Sequence, residues 1–186
     1  MPRRPSSARS IAVSGHCGAA PRPEVRIFLD ANVLFSAAKS DGFVRRLLDD
    51  LLASGHVLCA DAYVAEEAQR NLAVKAPAGL ATLAALLDRL EVAPVQAAPS
   101  ALAALSVLPE KDRLIVAAAR RMSCAALMTG DRTHFGRFYG STLAGVAVHS
   151  PRSLARVAPL TAVWCCAPLG FSDLPDHFTE SSVGRR

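Results

Sequence analysis

Val25-Arg26-Ile27-Phe28-Leu29-Asp30-Ala31-Asn32 is an apolar run that ends on a carboxylate at a turn. Ala125-Ala126-Leu127-Met128-Thr129-Gly130-Asp131 repeats the arrangement a hundred residues later. Short apolar runs bounded by turn residues read as buried strands of an open parallel sheet. In such sheets ligands bind beyond the carboxyl ends of the strands, so both acids fall where chemistry is expected. Several carboxylates at one sheet edge repel each other unless a cation holds them. The pattern therefore points to a metal site.

Outward from these two runs, strand and helix signals alternate. Asp41 is placed to cap a helix whose apolar residues fall at 43, 44, 47, 48, 51 and 52, and Gly55 is placed to end it. His56 to Ala60 reads as a short strand, and Asp61 as the cap of a helix running to about Leu72. Pro77 opens another helix, with Leu80, Leu83, Leu87 and Leu90 on one face. Val92 to Val95 reads as a short strand weakened by Pro94. Pro109 starts a helix with Leu114, Ile115, Ala118 and Met122 as its buried stripe. Gly145 to Val148 reads as a last strand, and Ser150-Pro151 as the start of a short helix. Such alternation implies an α/β fold, a central parallel sheet with helices on both faces.

The 186 residues fit one domain with tails, and an apolar fraction of 51% is ample for its core. No run reaches the length of a membrane span; Ala76 to Leu87 is the longest, and it stops at Asp88-Arg89. Residues 1–23 hold four arginines and no acid, and residues 173–186 hold two arginines against three acids. The segment between them thus carries only +2 of the +5 net charge, so bulk charge says little about what the domain binds. Residues 1–23, rich in Arg, Ser, Pro and Gly, read as a disordered basic tail. Residues 158–186 read as a largely disordered extension, which leaves 24–157 as the domain. Cys17, Cys59, Cys124, Cys165 and Cys166 show no zinc-ligand spacing and read as reduced thiols of a cytoplasmic protein.

Each acid has an ordinary alternative. Asp30 and Asn32 suit a helix N-cap, Asp112 suits the dipole of its helix, and Asp131 suits a turn. Glu67 and Glu66 are separated by geometry. Val64, Ala68 and Leu72 form the inward stripe of their helix; Glu67 borders it, whereas Glu66 lies on the side of Arg70 and is set for a surface ion pair. A lone carboxylate beside a core is costly unless it is paired or metal-bound, which selects Glu67 as the functional acid.

Four segments together resemble the motif blocks of PIN-domain nucleases, in the same order: Ile27 to Leu34, Tyr63 to Leu72, Lys111 to Ala119 and Leu127 to Asp131. The resemblance covers roughly residues 25 to 157. It implies a PIN-like three-layer α/β/α sandwich and a metal-dependent endoribonuclease. Many bacterial members are toxins of VapC-type toxin–antitoxin pairs. The resemblance further implies that Asp30, Glu67, Asp112 and Asp131 are the catalytic and metal-binding acids, with Asn32 and Thr129 in support. Mg²⁺ or Mn²⁺ is the expected ion, since both take oxygen ligands and keep several waters. One departure is Arg132-Thr133-His134, where some relatives carry a further acid; it counts against a second fully ligated ion.

Arg70, Lys75, Lys111, Arg113, Arg132 and His134 are the candidates for holding phosphates. Each is also an ordinary surface residue. His56 and His149, near strand ends, read as structural. RNA, a cognate antitoxin and a second copy of the chain are the candidate partners, and a membrane is not among them. The competing functions are a degenerate PIN-like module that binds RNA or protein without cutting, a nuclease of RNA processing, and a haloacid-dehalogenase-like phosphatase. The last also begins with a strand and Asp but wants a second Asp where this chain has Asn32.

Overall fold

The apolar runs do become the centre of a sheet. In the computed structural model, which describes residues 24–96 and 105–158, β1 (Arg26–Leu29) lies between β2 (Val57–Asp61) and β4 (Ala126–Met128). The six strands are ordered β3-β2-β1-β4-β6-β5, with β3 at Glu91–Ala93, β5 at Thr142–Leu143 and β6 at Val146–His149. Five strands run parallel; β5 pairs antiparallel with β6, so the sheet is mixed at that edge. Helices α1 (Ala31–Lys39), α2 (Phe43–Ala53), α3 (Ala62–Lys75), α4 (Leu80–Leu87), α5 (Glu110–Arg121), α6 (Arg132–Phe135) and α7 (Pro151–Val157) complete a three-layer α/β/α sandwich.

Burial explains why this arrangement holds. Phe28, Leu29, Leu58, Leu127 and Val148 are fully buried in adjacent strands, and Leu34, Leu48 and Leu72 close over them from α1, α2 and α3. Each such side chain contributes about 1.5–3 kcal/mol when removed from water. Register fixes what happens at the strand ends. Leu29 pairs with Met128, so the residues just beyond, Asp30 and Thr129, emerge side by side. The chain leaves β1 toward β2 on one side and returns to β4 on the other, which makes this edge the topological switch point.

Several expectations need correction in detail. Asp41 does not cap α2; the N-cap is Gly42 and no side chain bonds there. Gly55 does end the helix region, at φ +83°, a left-handed conformation that glycine takes without steric cost. Asp61 caps α3 by accepting the Val64 N–H at 3.0 Å, but the helix extends past Leu72 to Lys75. Pro77 opens a 3₁₀ turn, Pro77–Gly79, ahead of α4, whose buried residues are Leu83 and Leu86. On α5 Leu114 is exposed, and the inward face is Asp112, Ile115, Val116, Ala118 and Ala119. Ser150 and Ser153 form a reciprocal capping box at the start of α7, as the Ser150-Pro151 pair suggested.

Cys59 and Cys124 are buried free thiols, and contact with Cys59 together with burial pushes the Cys124 thiol up, which suits an inert structural role. His56 is buried and accepts the Val25 N–H through Nδ1 at 3.3 Å. Among the described residues no helix is long and apolar enough to cross a membrane. The expected tail 1–23, all of the expected extension 158–186 but its first residue, and three of the five cysteines, Cys17, Cys165 and Cys166, lie outside the described residues.

Candidate metal centre

Four carboxylates from four elements line one cavity at the carboxyl edge of the sheet. The cavity, about 180 Å³, is bounded by Asp30, Glu67, Asp112 and Asp131, with Lys75 and Lys111 on its rim. Four acids against two lysines leave a site that is negative when all are ionised. That is the charge a divalent cation requires.

Asp30 is held most firmly. It is the N-cap of α1 and is 5% exposed. Its backbone N–H donates to the Met128 carbonyl, which extends the β1–β4 pairing by one step. Oδ1 accepts the Ala31 N–H at 2.7 Å; Oδ2 accepts the Asn32 amide and the Thr129 hydroxyl, both at 2.6 Å. Burial pushes this carboxyl up, against the bonds from Thr129, Ala31 and Asn32, and the nearby Glu67 charge adds to the rise. Asn32 and Thr129 thus both support Asp30, and they also tie the two strand ends together. Asn32 Oδ1 accepts the Gly130 N–H at 2.7 Å, and a Cβ at Gly130 would lie 3.0 Å from that oxygen. The close approach of the two turns is what a glycine permits here.

Asp131 follows two residues on. Its N–H donates to Thr129 Oγ1, and its Oδ1 caps α6 by accepting the Thr133 and His134 amides at 2.8 and 3.2 Å. Burial pushes Asp131 up, but the His134 ring and the two cap amides outweigh it, and the carboxyl ends below its usual range. Asp112, in the first turn of α5, is only 3% exposed. Burial raises its carboxyl, partly offset by His134 and Lys111 and reinforced by Asp131. Its Oδ2 lies 3.1 Å from His134 Nδ1 but makes no aligned hydrogen bond. Glu67, half-buried on α3, faces the cavity, whereas Glu66 is exposed. Among the described residues Glu66 makes no ion pair with Arg70, contrary to expectation.

Thr129 offers a direct measure of this scaffold. It is fully buried and is both donor to Asp30 and acceptor for Asp131. Thr129→Val keeps the shape and removes both bonds, together with the longer one accepted from the Asn32 amide at 3.3 Å. A hydrogen bond to a charged group contributes about 1.5–3 kcal/mol, so urea unfolding should show a loss of that size at pH 7. A loss under 0.5 kcal/mol, roughly the level of an ordinary surface change, would show that the hydroxyl is not supporting the carboxylate.

The basic candidates separate. Lys75 and Lys111 border the cavity. Arg132 lines a neighbouring groove with Arg152, beside Gly130. Arg70 is exposed on α3 away from the cavity. Arg113 donates to the carbonyls of Leu108 and Ser106, so its guanidinium is used to hold the turn before α5. His134 stands among the acids, 2.8 Å from Asp131 Oδ2, with its side chain partly exposed. Its spacing of three from Asp131 was the available sequence signal, and Asp112, its second neighbour, is remote in sequence.

The family profile of the PIN domain matches residues 27–140. The chain belongs to the PIN domain family. PIN domains are in general nucleases. Among solved structures, DNA-bound VapBC from Salmonella typhimurium aligns at 15% identity and TM-score 0.50, over 68% of this chain and 98% of that one. VapBC2 from Rickettsia felis, bound to a fragment of its promoter, aligns at 19% identity and TM-score 0.48, over the same shares. No curated protein matches this chain in sequence. The matched residues of the PIN domain contain all four acids, Asn32, Thr129 and His134.

The residues present fit a divalent ion. Asp112 supplies a buried carboxylate oxygen without a hydrogen-bond partner, and the hard oxygen donors around the cavity suit Mg²⁺ or Mn²⁺. Asp112, Asp131 and His134 bring one ligand atom each to within 4.8 Å of one another.

Proposed function

We propose that this PIN domain is a divalent-metal-dependent endoribonuclease and acts as the toxin of a toxin–antitoxin pair. The observation that carries the reading is Asp112 Oδ2: buried, without an aligned hydrogen bond, and belonging to a cavity wall shared with Asp30, Glu67 and Asp131. An ionised group in that position is costly unless a cation accompanies it.

In this reading Asp112 and Asp131 hold the ion, with Asp30 and Glu67 completing the negative field around it. A divalent ion held there supplies Lewis-acid stabilisation and a nucleophile at neutral pH. Asn32 and Thr129 keep the Asp30 carboxylate oriented, which preserves the site's charge without reorganisation. Lys75 and Lys111 on the rim attract the phosphate backbone, and Arg132 and Arg152 extend that attraction along the adjoining groove. No side-chain nucleophile is needed. The toxin assignment, with RNA as substrate and a cognate antitoxin as partner, rests on the resemblance of the four motif segments to PIN-domain nucleases, many bacterial members of which are toxins of VapC-type pairs.

The test combines chemistry with growth. Purified protein should cut RNA with Mg²⁺ or Mn²⁺ present and stop on chelation, while single-stranded DNA of the same sequence survives. Expression alone should arrest growth, and Asp131→Asn or a co-expressed cognate antitoxin should relieve the arrest. If wild type and Asp131→Asn slow growth equally, the toxin reading is wrong.

A further inference from the structure

We infer that His134 is itself a ligand of the metal, which makes the centre a mixed nitrogen–oxygen site that prefers a first-row transition ion to Mg²⁺. The inference rests on the reading of the carboxylate cavity as a metal site and adds to it a ligand of different chemistry.

Geometry comes first. His134 Nδ1 stands 2.8 Å from Asp131 Oδ2 and 3.1 Å from Asp112 Oδ2. Neighbouring donors of an octahedral ion bound at about 2.1 Å are about 3.0 Å apart, so these separations are those of adjacent ligands on one ion. The three atoms come from two elements, α5 and the start of α6, and their meeting is fixed by the fold. Asp131 Oδ1 is committed to capping α6 through the amides of Thr133 and His134, which leaves Oδ2 directed toward the imidazole. Phe135, the next residue, is fully buried and anchors the same short helix. The imidazole is thereby held in place by a cap on one side and a core contact on the other.

The second observation concerns the acid across from the imidazole. Asp112 is 3% exposed, and its Oδ2 makes no aligned hydrogen bond; its polar neighbour is the His134 ring at 3.1 Å, so a shared cation would satisfy both atoms. The imidazole stands behind the cavity wall that Asp112 and Asp131 form, with one ligand atom from each of the three residues within 4.8 Å of the others. A site meant only for Mg²⁺ has no use for a nitrogen donor, since Mg²⁺ takes oxygen ligands and keeps its waters. Imidazole suits the later first-row ions, and any divalent transition ion gains more from it than Mg²⁺ does.

The competing role for His134 is a built-in cation that pairs the two acids and must be displaced by the metal. The two roles differ in sign. A ligand strengthens binding, and a competitor weakens it.

The experiment uses the full chain and Mn²⁺ as the probe. Pulsed electron paramagnetic resonance of the Mn²⁺-loaded wild type should show the hyperfine coupling of a directly bound imidazole nitrogen. The coupling should vanish in His134→Gln and His134→Ala. By calorimetry both substitutions should weaken Mn²⁺ binding at least tenfold while changing Mg²⁺ binding less than threefold. Bound Mn²⁺ without nitrogen coupling in the wild type would overturn the inference and leave the metal-dependent nuclease reading intact, and equal or tighter binding in His134→Gln would do the same. The wild-type spectrum decides the question even if a variant fails to fold. Absence of binding by either ion at millimolar concentration in the wild type would remove both.

Discussion

Asp112→Asn should cut metal-dependent cleavage about 10³-fold and at the same time make the metal-free protein more stable. The two effects have one cause. Asp112 is buried on the inward face of α5, where desolvation raises its carboxyl above the ordinary range. A carboxyl whose pKa is higher in the folded chain than in the unfolded one favours folding only when protonated. Its contribution is fully present below the unfolded value, about 3.9, and is lost as pH rises through the folded value. At neutral pH the metal-free wild type therefore carries an unfavourable charge at this position, close to that of Asp131. Asparagine removes the charge and keeps the volume. Melting curves recorded with chelator should place the variant above the wild type at pH 7. The difference should shrink as pH falls toward the ordinary carboxyl range. Added Mn²⁺ should reverse the order, since binding at a hundred times Kd stabilises the wild type by about 2.7 kcal/mol and the variant by little. A variant less stable than wild type in chelator at neutral pH would show that the carboxylate is a structural partner of His134, with no ion required.

What could be read from the sequence here follows the range of the forces involved. Asp30 and Asp131 were legible because each sits directly after an apolar run, and strand, turn and acid are contiguous. Asp61 was legible as a cap for the same reason. Glu67 was separable from Glu66 because the stripe of Val64, Ala68 and Leu72 is local to one helix, and the structure does put Glu67 on the cavity and Glu66 in solvent. Misplaced features depended on tertiary context. Leu114 fits a helical stripe as well as Val116 does, and only the packing of α5 across β2, β4 and β6 decides between them. β5 is two residues long and exists because β6 lies beside it, so no periodicity announces it. Arg113 looked free because its acceptors, Leu108 and Ser106, are carbonyls, to which sequence patterns are blind. The nearness of His134 to Asp112 was not legible, because the fold alone brings the two together.

Glu67→Gln should reduce cleavage about 10²–10³-fold, whereas Glu66→Gln should leave it within twofold of wild type. The two residues are adjacent and chemically identical, so the comparison isolates position. Glu67 is half-buried on α3 and lines the cavity, and its charge is close enough to raise the Asp30 carboxyl. Removing that charge has two opposed consequences. It lowers the cost of ionising Asp30, which on its own would help the site hold a cation. It also takes away one of the four carboxylates that would face an ion in the cavity. The second should dominate, because Asp30 already has three hydrogen bonds sustaining its carboxylate, while a bound ion would have nothing to replace Glu67. Glu66 is exposed, and a substitution there falls within about 0.5 kcal/mol of neutral. Initial rates at saturating Mn²⁺, with circular dichroism to confirm the fold, check the pair. If Glu67→Gln cuts RNA as fast as wild type, the carboxylate on α3 is not part of the reacting site, and the cavity works with acids from the sheet edge and α5 alone.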